Sequence, residues 1–91
     1  MALTKQEAVA QARADMARRL GHPADKISED LVEEAEFPDM ALGAAVGGEM
    51  SGQMITPGWR ILLSANGERL EYRANRGQVR LFNYKGRNFK V

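Results

Sequence analysis

Asn66-Gly67 sits between two alternating runs, Trp59–Ala65 and Glu68–Ala74. No other pair constrains this chain as tightly. A two-residue hairpin of type I′ needs positive φ at both central positions, and Asn-Gly tolerates that best. With this pair as the turn, Ala65 opposes Glu68, Leu63 opposes Leu70, Ile61 opposes Tyr72 and Trp59 opposes Ala74. Side chains alternate along a strand, so these residues share one side of the sheet. A second two-residue turn at Arg76-Gly77 sets Ala74 opposite Val79 and Tyr72 opposite Leu81. A three-residue turn there would put Val79 on the polar side. Two separate turns therefore agree on one apolar face across three antiparallel strands.

The opposite face carries Arg60, Leu62 and Ser64, then Arg69, Glu71 and Arg73, then Arg80, Phe82 and Tyr84. In this register Arg60, Arg73 and Arg80 form a row across the strands. Like charges placed opposite one another destabilise a sheet unless something neutralises them. The row calls for an anion or for acidic side chains of the same chain.

Charge is segregated along the sequence. Residues 1–59 hold five Lys/Arg against ten Asp/Glu, and residues 60–91 hold eight against two, for an overall +1. The separation fits an anionic partner for the C-terminal half, and equally a fold in which the halves neutralise each other. Ninety-one residues are one domain's worth of core. There is no cysteine and a single histidine, His22, which removes disulfide frameworks, thiol chemistry and most metal or triad arrangements. No run has the length or apolarity of a membrane span or signal core, so a cytoplasmic protein is expected.

Thr4-Lys5-Gln6-Glu7 reads as a capping box opening a helix to about Leu20, with Gly21 as the stop. Val9, Ala12, Met16 and Leu20 make its apolar stripe, and Lys5, Gln6, Arg13 and Arg19 fall on the solvent side. Residues 27–37 read as a strand with Ile27, Leu31, Ala35 and Phe37 on one side and Asp30, Val32, Glu34 and Glu36 on the other. A helix capped by Ser28 is the alternative. As a strand, the segment would bring Glu34 and Glu36 beside Arg60.

Residues 38–58 form a long connection with five glycines and two prolines. Loops of this length in small domains are uncommon and often functional. This one carries Met40, Leu42, Val46, Met50, Gln53, Met54 and Ile55. Flexible methionines suit partners of variable shape. A packed lid over the core and an exposed binding loop are both open readings. Thr56-Pro57-Gly58 has the composition of a type II turn that aims Trp59 into the core. A short last strand after Lys85-Gly86, or a frayed end, finishes the chain.

Phe37-Pro38-Asp39, Leu42-Gly43, Gln53, Thr56-Pro57-Gly58-Trp59, Ile61, Leu63, Gly67 and Tyr72 together resemble the pattern of a small group of uncharacterised bacterial proteins or domains. That group often has Cys-Pro after Leu-Gly, where this chain has Ala44-Ala45. The resemblance implies a strand at 28–36 and a recurring role for the loop, and it implies no activity. By topology alone the arrangement looks like cystatin-like or PepSY-like modules, some of which are inhibitors that present loops at one end of a sheet.

The expected architecture is α+β: one N-terminal helix on a four-stranded antiparallel sheet, in the order helix, strand, long loop, three strands. The expected function is non-catalytic protein binding through loop 38–58, inhibitor-like in one version, with Met40, Leu42, Val46, Met50, Gln53 and Met54 as contacts. The alternative is anion or nucleic-acid binding by Arg60, Arg73, Arg80, Phe82 and Tyr84. No enzyme, cofactor, metal or membrane role is expected, and the chain is expected as a monomer or an edge-strand dimer.

Overall fold

A computed structural model describes residues 2–91. One helix, α1 (Lys5–Leu20), lies on a five-stranded antiparallel sheet. The strands are β1 (Ser28–Phe37), β2 (Thr56–Ala65), β3 (Glu68–Asn75), β4 (Gln78–Tyr84) and β5 (Arg87–Lys90), and they stand side by side in chain order. The fold is α+β as expected, with one strand more than the four anticipated. The extra strand exists because Lys85 and Gly86 adopt φ of 54° and 81° and close a third tight turn, pairing Tyr84 with Arg87.

Both inner turns hold the register read from their residues. Asn66 and Gly67 have φ of 53° and 83°, and Ala65 pairs with Glu68. Asn75 pairs with Gln78 across Arg76-Gly77, leaving Ala74 opposite Val79. The inner face carries Ile61, Leu63, Leu70, Tyr72, Ala74, Val79 and Leu81, all buried against Ala8, Val9, Ala12 and Met16 of α1. The helix opens with the capping box: Glu7 N–H donates to Thr4 Oγ1 and Thr4 N–H donates to Glu7 Oε1. It stops at Gly21, which takes φ 71° and donates to Ala17 O.

Two arginines expected in solvent are structural. Arg13 bridges to the carbonyls of Ala24 and Ile27 and to Glu29, tying α1 to the chain leading into β1. Arg19 bonds Asp15 and lies over the Phe89 ring, 4.4 Å from its centroid.

β1 is a strand, but its faces are the reverse of those expected. Glu29 pairs with Leu63, yet Leu31 pairs with Leu62. Asp30 is the extra residue of a bulge, and a bulge exchanges the faces of everything beyond it. Past it, Val32 and Glu34 share the inner face with Ile61 and Trp59, while Glu33 and Phe37 lie outside. The residue beside Arg60 is therefore Glu33, not Glu34 or Glu36.

Thr56-Pro57-Gly58 is not a turn. It is the first part of β2, and Gly58 is not left-handed. Its lack of a side chain has another reason: a Cβ there would stand 2.2 Å from Ala74 O on β3. The tripeptide lets two backbones approach closely at the end of the sheet.

Candidate functional site

The connection between β1 and β2 crosses the outer face of the sheet and divides into two parts. The first part, within residues 38–49, packs down through Ala41, Leu42 and Ala44. Phe37, Ala41, Leu42 and Ala44 are buried there, a second small core on the side away from the helix. The local chemistry that bends this segment is Asp39, whose Oδ1 accepts from the backbone N–H of Ala41 and Gly43. Leu42 and Gly43 then take φ of 62° and 68°. A Cβ at Gly43 would also meet a guanidinium nitrogen of Arg73 at 2.6 Å and make that side chain shift.

The arginine row exists as expected: Arg60, Arg73 and Arg80 are cross-strand partners. The lid and the strands themselves take up its charge. Arg60 bonds Glu33 at 2.8 Å and approaches Glu71 at 3.4 Å. Arg73 bonds Glu71 and the Leu42 carbonyl, and its guanidinium lies 3.6 Å from the Phe82 ring centroid. Arg80, nearly buried, donates to both carboxylate oxygens of Glu49 at 2.6 and 2.7 Å and to Ala44 O. The paired bonds from Arg80, and the Val46 N–H with them, hold the Glu49 carboxyl down to about 2. A bidentate pair of this kind is directional as well as strong. Tyr84 does not join the row. The ladder slips between Leu81 and Tyr84, Asn83 takes φ 53°, and Tyr84 packs on the helix side against Phe89.

Residues 50–55 do not pack. Met50 is 97 % exposed, and Met54 and Ile55 are 65 % exposed; Met40, beneath them, is half exposed and Gln53 points outward. The base of this segment is pinned. Met40 N–H donates to Gly52 O, Gln78 Nε2 donates to Met40 O, and Thr56 Oγ1 donates to Met54 O. Of the six residues expected to meet a partner, Met40, Met50, Gln53 and Met54 face out, whereas Leu42 is fully buried and Val46 half-buried in the lid. Ile55, absent from that group, belongs with the exposed ones. Beside this apolar end, Glu34, Glu36, Pro57, Trp59 and Arg76 border an open groove of about 510 Å³.

Sequence reasoning missed Asp15. It is almost completely buried beneath α1 and accepts from Tyr72 Oη at 2.7 Å, from Arg19 Nε and from Arg18. Burial, and then this hydrogen bond, hold the Tyr72 hydroxyl above the ordinary phenol range. The signal was present: Ala8, Ala12, Asp15 and Met16 follow helical spacing, so Asp15 occupies a core position of the stripe. The pair closes the core and opens on no cleft. Among the described residues there is no cluster of three or more potential metal ligands, and no helix is long and apolar enough to cross a membrane.

No curated protein and no solved structure matches the chain. A family model covers α1 from Val9 onward, the lid, the arginine row and the sheet as far as Phe82. Its span, residues 9–82, places the chain in the family described as Domain of unknown function (DUF8738).

Proposed function

We propose that the domain is a non-catalytic protein-binding module whose contact surface is the projecting segment 50–55 together with Met40. One observation carries this reading. Met40, Met50, Met54 and Ile55 are large apolar side chains left exposed on a segment with a fixed base, while Ala41, Leu42 and Ala44 of the same loop are buried. Scattered surface apolar residues are ordinary, but three within six residues of one exposed segment, with Met40 hydrogen-bonded to that segment, are a recognition feature. Unbranched methionines accommodate partner surfaces of different shape. An inhibitor-like use of this projection falls within the proposal, with a protease as the partner. The nucleic-acid alternative has no comparable support, since the arginines it needs are held by Glu33, Glu71 and Glu49.

The test places a photo-crosslinking amino acid at Met50 and, as a control, at Ala14 on the exposed side of α1, in the cells that make the protein. A protein species crosslinked from position 50 alone, and lost when Met54 and Ile55 are changed to Ser, supports the proposal. The same products from both positions, or none from position 50, overturns it.

A further inference from the structure

β1 and β5 are the two open edges of the sheet, each with one neighbour. An open edge presents unpaired N–H and C=O groups to any strand that fits. The two edges have opposite charge. β1 carries Glu29, Asp30, Glu33, Glu34 and Glu36 and no base. The segment 85–91 carries Lys85, Arg87 and Lys90 and no acid. Arg13, Arg69 and Arg60 partly neutralise β1, and Glu49 lies 3.5 Å from Lys90 of β5, but Glu34 and Glu36 have no ion-pair partner among the described residues, and neither has Arg87.

The rungs of the sheet align these charges. One rung runs Glu33, Arg60, Arg73, Arg80, Lys90, and the next runs Val32, Ile61, Tyr72, Leu81, Phe89. The edges therefore show Glu33 and Lys90 at one level, and the half-buried Val32 and Phe89 at the next. In a meander of five strands the first and last run in the same direction. A second copy displaced across the sheet without sliding would set its β1 parallel to β5, Lys90 beside Glu33, and Phe89 beside Val32. The two symmetric joints, β1 to β1 and β5 to β5, would face acid with acid or base with base, which is unfavourable.

We propose that β5 of one copy adds to β1 of the next, so that the chain associates head to tail. Such a joint uses two different surfaces and leaves one of each free at the ends, so growth does not stop at a dimer. The joint is short and charged, so it is weak and salt-sensitive. It is separate from the apolar projection and stands or falls independently of it.

Sedimentation velocity on the full chain tests this. Weight-average mass should rise with concentration without a plateau at the dimer, and the association constant should fall roughly tenfold or more from low to high salt. Two edge variants follow. Glu34→Lys/Glu36→Lys keeps a native β5 edge, and Arg87→Glu/Lys90→Glu keeps a native β1 edge. Each alone should remain monomeric. Their mixture should associate again, because the native β5 edge of one variant meets the native β1 edge of the other, and that outcome also shows both variants are folded. Edge amides of β1 and β5 should gain hydrogen-exchange protection in the associated wild type. A wild type that stays monomeric at low salt, a plateau at the dimer, association that survives both edge variants, or a mixture that remains monomeric would each overturn the proposal.

Discussion

Asp15→Ala tests whether a buried carboxylate, and not apolar area alone, seats α1 on the sheet. The carboxylate takes three side-chain hydrogen bonds, from Tyr72, Arg18 and Arg19. Arg18 is largely exposed and Arg19 partly so, and both can return to water when Asp15 is lost. The Tyr72 hydroxyl cannot, because Tyr72 is fully buried. A stranded hydroxyl costs about 1–3 kcal/mol, and losing charge-assisted bonds adds about 1.5–3 kcal/mol. We expect Asp15→Ala to cost about 3 kcal/mol, out of roughly 5–14 kcal/mol for a chain of this length. Tyr72→Phe alone should cost about 1 kcal/mol, since Asp15 keeps both arginines. In the Asp15→Ala background the sign reverses: Tyr72→Phe removes the stranded hydroxyl and restores about 1 kcal/mol. The coupling is then about 2 kcal/mol, well outside additivity. Urea unfolding followed by circular dichroism reads all four proteins of this cycle. With a slope of about 1 kcal/mol/M, the midpoint of Asp15→Ala falls by about 3 M. If Tyr72→Phe destabilises both backgrounds equally, the bond between these residues contributes nothing and the reasoning fails.

Gly58→Ala places a methyl group 2.2 Å from Ala74 O and forces β2 and β3 apart at their ends; a cost of about 2–3 kcal/mol lowers the melting temperature by about 10 °C or more, and an unchanged melt would refute the close-approach argument. Phe37→Ala should empty the outer core at a cost of about 3–4 kcal/mol and raise proteolytic cutting within residues 40–55 before the sheet opens; cutting unchanged there would mean that Phe37 does not hold the lid. The Glu49 carboxyl is lowered from 4.5 to about 2 by Arg80 and the Val46 N–H. A depressed carboxylate stabilises the fold above its unfolded value, so this contribution is complete above pH 4.5 and is lost as pH falls toward about 2. Glu49→Gln should therefore be less stable than wild type near neutrality and converge on it in acid, as read by urea titrations at several pH values; a constant gap across that window would rule out the Arg80–Glu49 pairing as its cause.

Much of the sheet was legible because two-residue turns are local. Asn66-Gly67 needs only its own backbone preferences to set Leu63 opposite Leu70, and alternation then carries the register to Trp59, Ala74 and Val79. The arginine row follows from the same arithmetic, as does the need for something to neutralise it. The capping box at Thr4 and the stop at Gly21 are local in the same way. What was not legible depends on neighbours distant in the chain. The bulge at Asp30 forms against β2 and exchanges the faces of Val32, Glu34 and Phe37, a change that leaves no trace in the period of β1 itself. Gly58 reads as a turn residue until Ala74 O is known to lie where its side chain would be. Loop 38–58 has no periodicity from which to read a direction. Docking sends Leu42 inward and Met50 outward, because the outer face offers Phe37, Arg73 and Arg80 to the first part and nothing to the second. Turn chemistry and alternation, properties of residues a few positions apart, were determined by the sequence alone. Only the tertiary structure decided which acid meets which arginine and which part of the loop stays in water, because those energies exist only once segments far apart in the chain are in contact.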